Sequence, residues 1–402
     1  MTRATSLLGT FLLLCALSGC GGGGSTPINN GGNPGGGSSG GGSTPPPLPA
    51  GAELLYVGDN VGVIHGFAVD PNTGKPTALT PTTSVTNQAA ASDVALEADL
   101  GTMILYATSN GQGGPNVVPF LIDHNTGALS ASGSQTLSVS PLGLAAAPGG
   151  GSSGSSCCLY VFGNAAQLFQ FTINSFNASL TQKTPAITLP CIPHGLAAAP
   201  SGSWLGITCD GASGGEIVGL TRDPPTGNVG TPQVVPSGGN SPQGIKVTPD
   251  GKFVIVANQG TNSVSVFSLD SASGALTAVP GSPFASGTQP APVAFDPPLV
   301  GGKASSAKFI FVGDTGGNTL STYTIDSTGN LAPVGAPTPL GTNSQPSSIA
   351  VDPQGKFVFV SIVPREMAGF TLDSSTGTLT PIPGSPFAVS SGGPTRGMAF
   401  IP

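Results

Sequence analysis

The sequence predicts an all-β fold, a seven-bladed β-propeller of four-stranded antiparallel blades, and three observations carry that reading. Seven apolar residues, Leu79, Leu129, Leu180, Val229, Leu276, Leu331 and Leu379, each follow a polar turn and recur at spacings of 50, 51, 49, 47, 55 and 48 residues. From Gly51 to Pro402 the chain is rich in Val, Ala, Thr, Ser, Gly and Pro and has no long helix-period pattern. Each repeat also contains several short β-rich runs separated by turn residues, so one repeat makes one blade.

The fifth repeat reads most plainly. Gly244 to Thr248 is an inner strand, and Pro249-Asp250-Gly251-Lys252 a tight turn with Gly where positive φ is needed. Phe253 to Ala257 is apolar throughout, as expected of a strand buried on both faces between blades. Asn258 to Asn262 form a loop, Ser263 to Leu269 alternate with period two, and Asp270 to Gly274 turn into an outer strand over Ala275–Val279. Second strands recur at Leu54–Val57, Ile104–Ala107, Leu159–Phe162, Trp204–Ile207, Phe309–Val312 and Phe357–Val360. The first repeat lacks an inner strand, whereas the chain ends with a surplus one, Gly397 to Ile401. That strand is expected to complete blade one and close the ring, leaving no open sheet edge.

The runs Tyr106-Ala107-Thr108-Ser109-Asn110 and Ile255-Val256-Ala257-Asn258, the Asp-x-x-Thr-Gly-x-Leu turns and the Pro-Asp-Gly-Lys-Phe hairpin resemble the lactonase-type seven-bladed propeller family. That family is related to the Tyr-Val-Thr-Asn repeat propellers. The resemblance extends over about Leu54 to Pro402 and implies the same fold. A shared fold hosts enzymes, binding modules and scaffolds alike, so function has to be read from the site.

Three regions precede or form the repeat array. Residues 1–19 read as a lipoprotein signal peptide: Arg3 precedes an apolar run from Leu7 to Leu17, too short to span a bilayer, that ends in Leu17-Ser18-Gly19-Cys20. Cys20 is the expected lipidation site, with membrane attachment through that lipid. Residues 20–50 read as the lipidated Cys and a Gly/Ser/Pro tether that cannot bury enough apolar area to order itself, with a mean reach of roughly 30 Å. Residues 51–402 form the propeller. Gly21 after the cysteine is what the lipoprotein resemblance associates with an outer membrane, so the expected location is the cell envelope, periplasmic or surface-facing.

Composition narrows the function classes. Only 7% of residues are charged, the net charge is −7, and the 11 basic residues are scattered singly, which excludes a phosphate-tracking nucleic-acid surface. Four cysteines remain beyond the signal and lipidation site. Cys191 and Cys209 flank the hairpin turn at Pro200-Ser201-Gly202 and are expected to form a disulfide. The vicinal pair Cys157-Cys158 is left open between a strained ring, a bond to another chain and two thiols. No metal or cofactor is expected, because Cys-x-x-Cys pairs are absent and His65, His124 and His194 fall in unrelated positions.

In such a meander the loops before the inner strands and those between second and third strands gather at one mouth of the channel. The former supply Gln88, Pro141, His194, Gln243, Gln289, Gln345 and Arg396; the latter supply Asp59, Asn60, Asn110, Asn164, Asp210, Asn258, Asp314, Arg365 and Glu366. From these, Gln88, Asn110, Asn164, Asp210, Gln243, Asn258, Gln289, Asp314 and Gln345 are candidate ligand contacts. The resemblance implies a His, Arg and Glu cluster at this mouth, which here falls on His194, in a Pro-His-Gly element, with Arg396 and Glu366 assisting. Gln243 stands where the family's pattern often carries a histidine, and an amide cannot shuttle a proton at neutral pH. His194 also reads as a loop histidine hydrogen-bonded to a turn, Arg365-Glu366 as an exposed ion pair, and Asp59, Asp210 and Asp314 as caps of turn amides. The expectation is therefore a monomeric, membrane-tethered binding or scaffold module taking a carbohydrate, peptide or protein at its amide-rich mouth. The alternative is a lactone hydrolase with His194 as base.

Overall fold

The computed structural model describes residues 47–80, 82–84, 96–99, 104–110, 114–148, 158–174, 176–212, 214–296, 299–300, 303–304, 306–389 and 394–401. Within them the chain from Pro45 onward forms seven antiparallel sheets, each with a four-strand meander. The inner strands are Thr395–Ile401 for blade one, then Leu96–Asp99, Pro141–Ala147, Pro193–Ala198, Pro242–Val247, Pro290–Phe295 and Pro346–Val351. Each touches the next, and the last touches the first, so they enclose a channel.

Six second strands are buried end to end because they lie in mid-sheet with a blade against each face, namely Glu53–Asp59, Ile104–Ser109, Cys158–Gly163, Phe253–Asn258, Phe309–Asp314 and Phe357–Ile362, whereas Trp204–Gly211 emerges at Asp210. Their side chains build the core as a set of inter-blade clusters, for example Phe309, Phe311, Val358 and Val360 between blades six and seven.

Two features of the sheets were not legible in the sequence. Five blades carry an additional two-residue strand, Thr83–Ser84, Gln135–Thr136, Phe284–Ala285, Thr338–Pro339 and Phe387–Ala388, paired with the start of the third strand. The longest repeat spacing, between Leu276 and Leu331, accommodates a small hairpin of Leu299–Val300 with Lys303–Ala304 inserted in blade six.

The blades lock through the polar turns that mark the repeats. In five of these turns an Asp carboxylate accepts backbone N–H bonds, as Asp70 does from Asn72 and Thr73 at 2.9 and 2.8 Å, and in blade three Asn174 Oδ1 accepts from Phe176 N. In blade seven the Ser375 hydroxyl, together with the Ser375 and Thr376 N–H groups, holds the Asp373 carboxyl down at about 2. The turn then presents its Gly to the preceding blade. Tyr56 donates to Gly127 O at 2.8 Å and Tyr160 to Gly227 O at 2.9 Å. Gly74 has φ +70°, and a Cβ there would lie 2.5 Å from the Phe357 ring of blade seven, so this position admits neither another φ nor a side chain.

The C-terminal strand closes the ring as expected. Leu54, Leu55, Tyr56 and Val57 pair with Ile401, Phe400, Ala399 and Met398, and the Phe400 ring lies 5.7 Å from that of Phe359 in blade seven. Beside this seam, Glu53 is 8% exposed and its Oε2 has no hydrogen-bond partner among the described residues. Burial, with the nearby Asp352 carboxylate, pushes its carboxyl up to about 7, against the smaller opposing pull of Lys356. A carboxyl raised in the fold stabilises it below the unfolded value of 4.5, and that contribution is lost as pH rises through about 7. Glu53→Gln should therefore raise stability by roughly 3 kcal/mol at pH 8–9 and leave it nearly unchanged at pH 4.5. Denaturant melts at the two pH values measure this; equal effects at both would contradict it.

Candidate active site at the channel mouth

The mouth is built by a repeated structural position. Pro141, Pro242, Pro290, Pro346 and Thr395 each pair with the last residue of their blade's second strand and Pro193 pairs with Cys209 near the end of its own, and a bulge follows in every case that places the next residue at the channel rim. The equivalent rim residues are Leu142, His194, Gln243, Ala291, Ser347 and Arg396. Gln289 and Gln345, expected to be equivalents of His194, instead precede their prolines. Gln345 still lines the mouth, whereas Gln289 is exposed, with φ 55° and its carbonyl accepting the Thr315 amide at 3.0 Å.

His194, Gln243, Gln259, Thr315, Gln345 and Ser347 line a cavity of about 350 Å³ at the mouth. It leads into a deeper cavity of about 260 Å³ that shares His194, Gln243 and Ser347 and adds Leu144, Ile245, Lys246, Ile349 and Met398. Together they form a funnel that presents polar groups both at its collar and in its throat.

His194 is the best-formed chemical group there. Its Nδ1 lies 3.2 Å from Pro242 O and 3.4 Å from Gln243 Nε2. A carbonyl can only accept, so Nδ1 carries the proton and donates to it, which leaves the Nε2 lone pair open and the Gln243 N–H groups free for a ligand. Nε2 stands 3.9 Å from Asp210 Oδ2, with the two side chains 24% and 51% exposed. At that separation the carboxylate does not hold Nε2 directly, but it places a negative charge beside the ring.

Asp210 reaches His194 because the two strands of blade four pair Pro193 with Cys209, one residue from each. The Cys191–Cys209 disulfide, with Cα atoms 6.0 Å apart, ties the approach to the inner strand to the end of the second and flanks both residues. The one His/Cys/Asp/Glu group of metal-binding spacing among the described residues is Cys191, Cys209 and Glu216, and the disulfide consumes its two sulfurs. The disulfide closes a loop of 18 residues. Replacing both cysteines by Ser should cost about 3 kcal/mol of stability, measured by guanidinium unfolding; an unchanged midpoint would contradict that role. Cys158 is also disulfide-bonded, and Cys157 lies outside the described residues.

The remaining expected residues take several positions. Asn258 and Asp314 are fully buried below the rim. Ser237 donates to Asn258 Oδ1 at 3.0 Å, while Ser286, Thr319 and Ser321 donate to the Asp314 carboxylate at 3.2, 2.9 and 2.7 Å. Burial pushes the Asp314 carboxyl up and these hydroxyls pull it back. Asp59 caps Val61 N and Val63 N at 3.0 and 2.9 Å and meets His65 Nε2 at 2.9 Å. Asn110 Nδ2 donates to Pro141 O at 3.3 Å, and Asn164 is exposed at the rim. Glu366 is exposed at the start of Glu366–Leu372 and is not among the residues lining either cavity. Arg396 occupies the rim position of blade one, but its side chain, like Gln88 and Cys20, lies outside the described residues. Sequence reasoning missed Gln259, Thr315, Ser347 and Lys246; for Lys246 the signal was a single charge inside an apolar inner strand.

Comparison with known proteins agrees with this architecture. Residues 193–295, from the inner strand of blade four through that of blade six, match the family model described as lactonase, 7-bladed beta-propeller. The fold is a seven-bladed propeller, and its residues 193–295 are similar to the lactonase-type family. A Bacteroides fragilis structure provisionally titled 6-phosphogluconolactonase is similar at a TM-score of 0.69 and 18% identity, over 88% of this chain and 99% of that one. The periplasmic gluconolactonase of Pseudomonas aeruginosa is similar at 0.67 and 18%, over 87% and 99%. At these identities the similarity is one of fold. No curated protein matches the sequence.

Proposed function

We propose that this lactonase-type propeller hydrolyses a lactone at the channel mouth, with His194 as general base. The observation that carries the reading is the His194 environment: Nδ1–H fixed on Pro242 O, Nε2 open to the cavity and Asp210 3.9 Å away. Similarity to proteins named as lactonases, a gluconolactonase among them, supports lactone chemistry.

In this mechanism Nε2 takes a proton from water as the water oxygen bonds to the lactone carbonyl carbon, whose π electrons move to the carbonyl oxygen. Gln243 N–H groups, freed by the tautomer, donate to that oxyanion. Collapse breaks the ring C–O bond, and the departing alkoxide recovers the proton from Nε2–H, giving a hydroxy acid. Asp210 steadies the imidazolium between the two steps. Because Asp210 is half exposed, its attraction amounts to about 1 kcal/mol, or about a five-fold effect on rate.

The test is hydrolysis of aldonolactones by the full-length protein, followed by acid release above the uncatalysed rate. Turnover is expected, with Asp210→Asn several-fold slower. The neutral rim residues Leu142, Ala291 and Ser347 favour a second reading, a module that binds polar ligands without turnover. Saturable binding of an aldonolactone with only background hydrolysis would select it. Export and lipid anchoring through Cys20 belong to the same proposal: the enzyme would act on lactones outside the cytoplasm, held by residues 20–50 at the envelope. Among the described residues no helix is long and apolar enough to cross a membrane.

A further inference from the structure

The throat below the mouth carries one feature that the hydrolytic reading does not use. Lys246 is exposed into the deeper cavity, and among the residues lining it only Lys246 and His194 are titratable. The register aligns Lys246, opposite Ile255, with Ala145 opposite Tyr160, Ala197 opposite Gly206, Ala294 opposite Phe311, Ala350 opposite Phe359 and Ala399 opposite Tyr56. All five alanines are buried. At this register five described blades turn a small methyl into the inter-blade packing, whereas blade five places the exposed Lys246 against the cavity. No carboxylate or other hydrogen-bonding group among the described residues pairs with Lys246. An ammonium without a counter-charge, in the same cavity as His194, gives that site a fixed positive charge among its described lining residues and so attracts an anionic group of the ligand.

We infer that Lys246 is a specificity-determining residue that binds a free carboxylate of the ligand, making the preferred ligand a sugar acid that carries a carboxylate remote from its lactone. This rests on the proposed site at His194. Lys246 lies two rungs below the rim, roughly 7 Å at the strand rise, which a six-carbon sugar acid spans. A single ammonium balances one carboxylate, whereas a phosphate dianion calls for more donors than the throat presents among the described residues. The carboxylate is bound, not transformed, and no bond to it changes.

The experiment is calorimetric titration of the full-length protein at low ionic strength with D-glucarate, a dicarboxylate that cannot be hydrolysed, beside neutral sorbitol and glucose 6-phosphate. D-glucarate is expected to bind at least ten-fold more tightly than sorbitol. Lys246→Gln should weaken D-glucarate at least ten-fold, Lys246→Arg should hold it within about three-fold, and sorbitol should not change. Thermal melts that coincide with wild type show that the variants fold. D-glucarate binding that is no tighter than sorbitol, or unaffected by Lys246→Gln, overturns the inference, as does tighter binding of glucose 6-phosphate. Turnover by the wild type separates it from the hydrolase reading: Lys246-dependent binding by a folded wild-type protein that shows no lactone turnover sinks the hydrolase and leaves this site standing. Turnover that is equal for neutral and carboxylated lactones and unchanged by Lys246→Gln does the reverse.

Discussion

Removing residues 397–402 should abolish folding of the whole propeller and not merely shorten blade one. Met398, Ala399 and Phe400 are each 7% exposed and Ile401 is fully buried. Burial of Met, Phe and Ile side chains is worth about 1.5–3 kcal/mol each, so the deletion forfeits roughly 5–9 kcal/mol, comparable with the total stability of a typical domain. The loss also exposes the edge of Glu53–Asp59 and the flank of Pro346–Val351, which the strand otherwise covers. Every blade depends on its neighbours, so the damage is not local. Circular dichroism and a thermal melt of the truncated protein measure this. A cooperative melt near that of wild type would contradict closure by this strand. Ile401→Ala, which keeps the strand but opens a cavity, should cost about 2–5 kcal/mol.

His194→Ala should lower kcat for lactone hydrolysis by about 100- to 10,000-fold, the range for loss of a positioned general base. The fold should survive, because His194 is partly exposed and its contacts are those to Pro242 O, Gln243 and Asp210. KM should change far less than kcat, since the collar retains Gln243, Gln345 and Ser347 to hold the substrate. Loss confined to KM would assign His194 to binding alone.

The architecture was legible because it repeats. A second strand such as Phe253–Asn258 is apolar for a reason that applies to every blade, and the turns at Asp123, Asp270 and Asp373 mark blade boundaries with the same Asp, Gly and Leu placements. The surplus C-terminal strand and the disulfide followed from simple pairing geometry. The mouth was less legible. A bulge after each Pro at the start of an inner strand breaks the simple count, so Gln289 and Gln345 were set in register with His194 although Ala291 and Ser347 hold that position. Asn258 and Asp314 have the polarity of surface loops, yet the hydroxyls of Ser237, Ser263, Ser265, Ser286 and Ser321 satisfy them in the interior. The approach of Asp210 to His194 has no signature in sequence, because it arises from the pairing of two strands across a hairpin.

The measurement that bears most directly on the proposed site is the initial rate of aldonolactone hydrolysis by the full-length protein and by His194→Ala, with both shown to be folded. Catalysis well above background in the wild type, lost in the variant, is the expected result. A wild-type rate that stays at background, or equal rates in the two proteins, would contradict the assignment of His194 as the base.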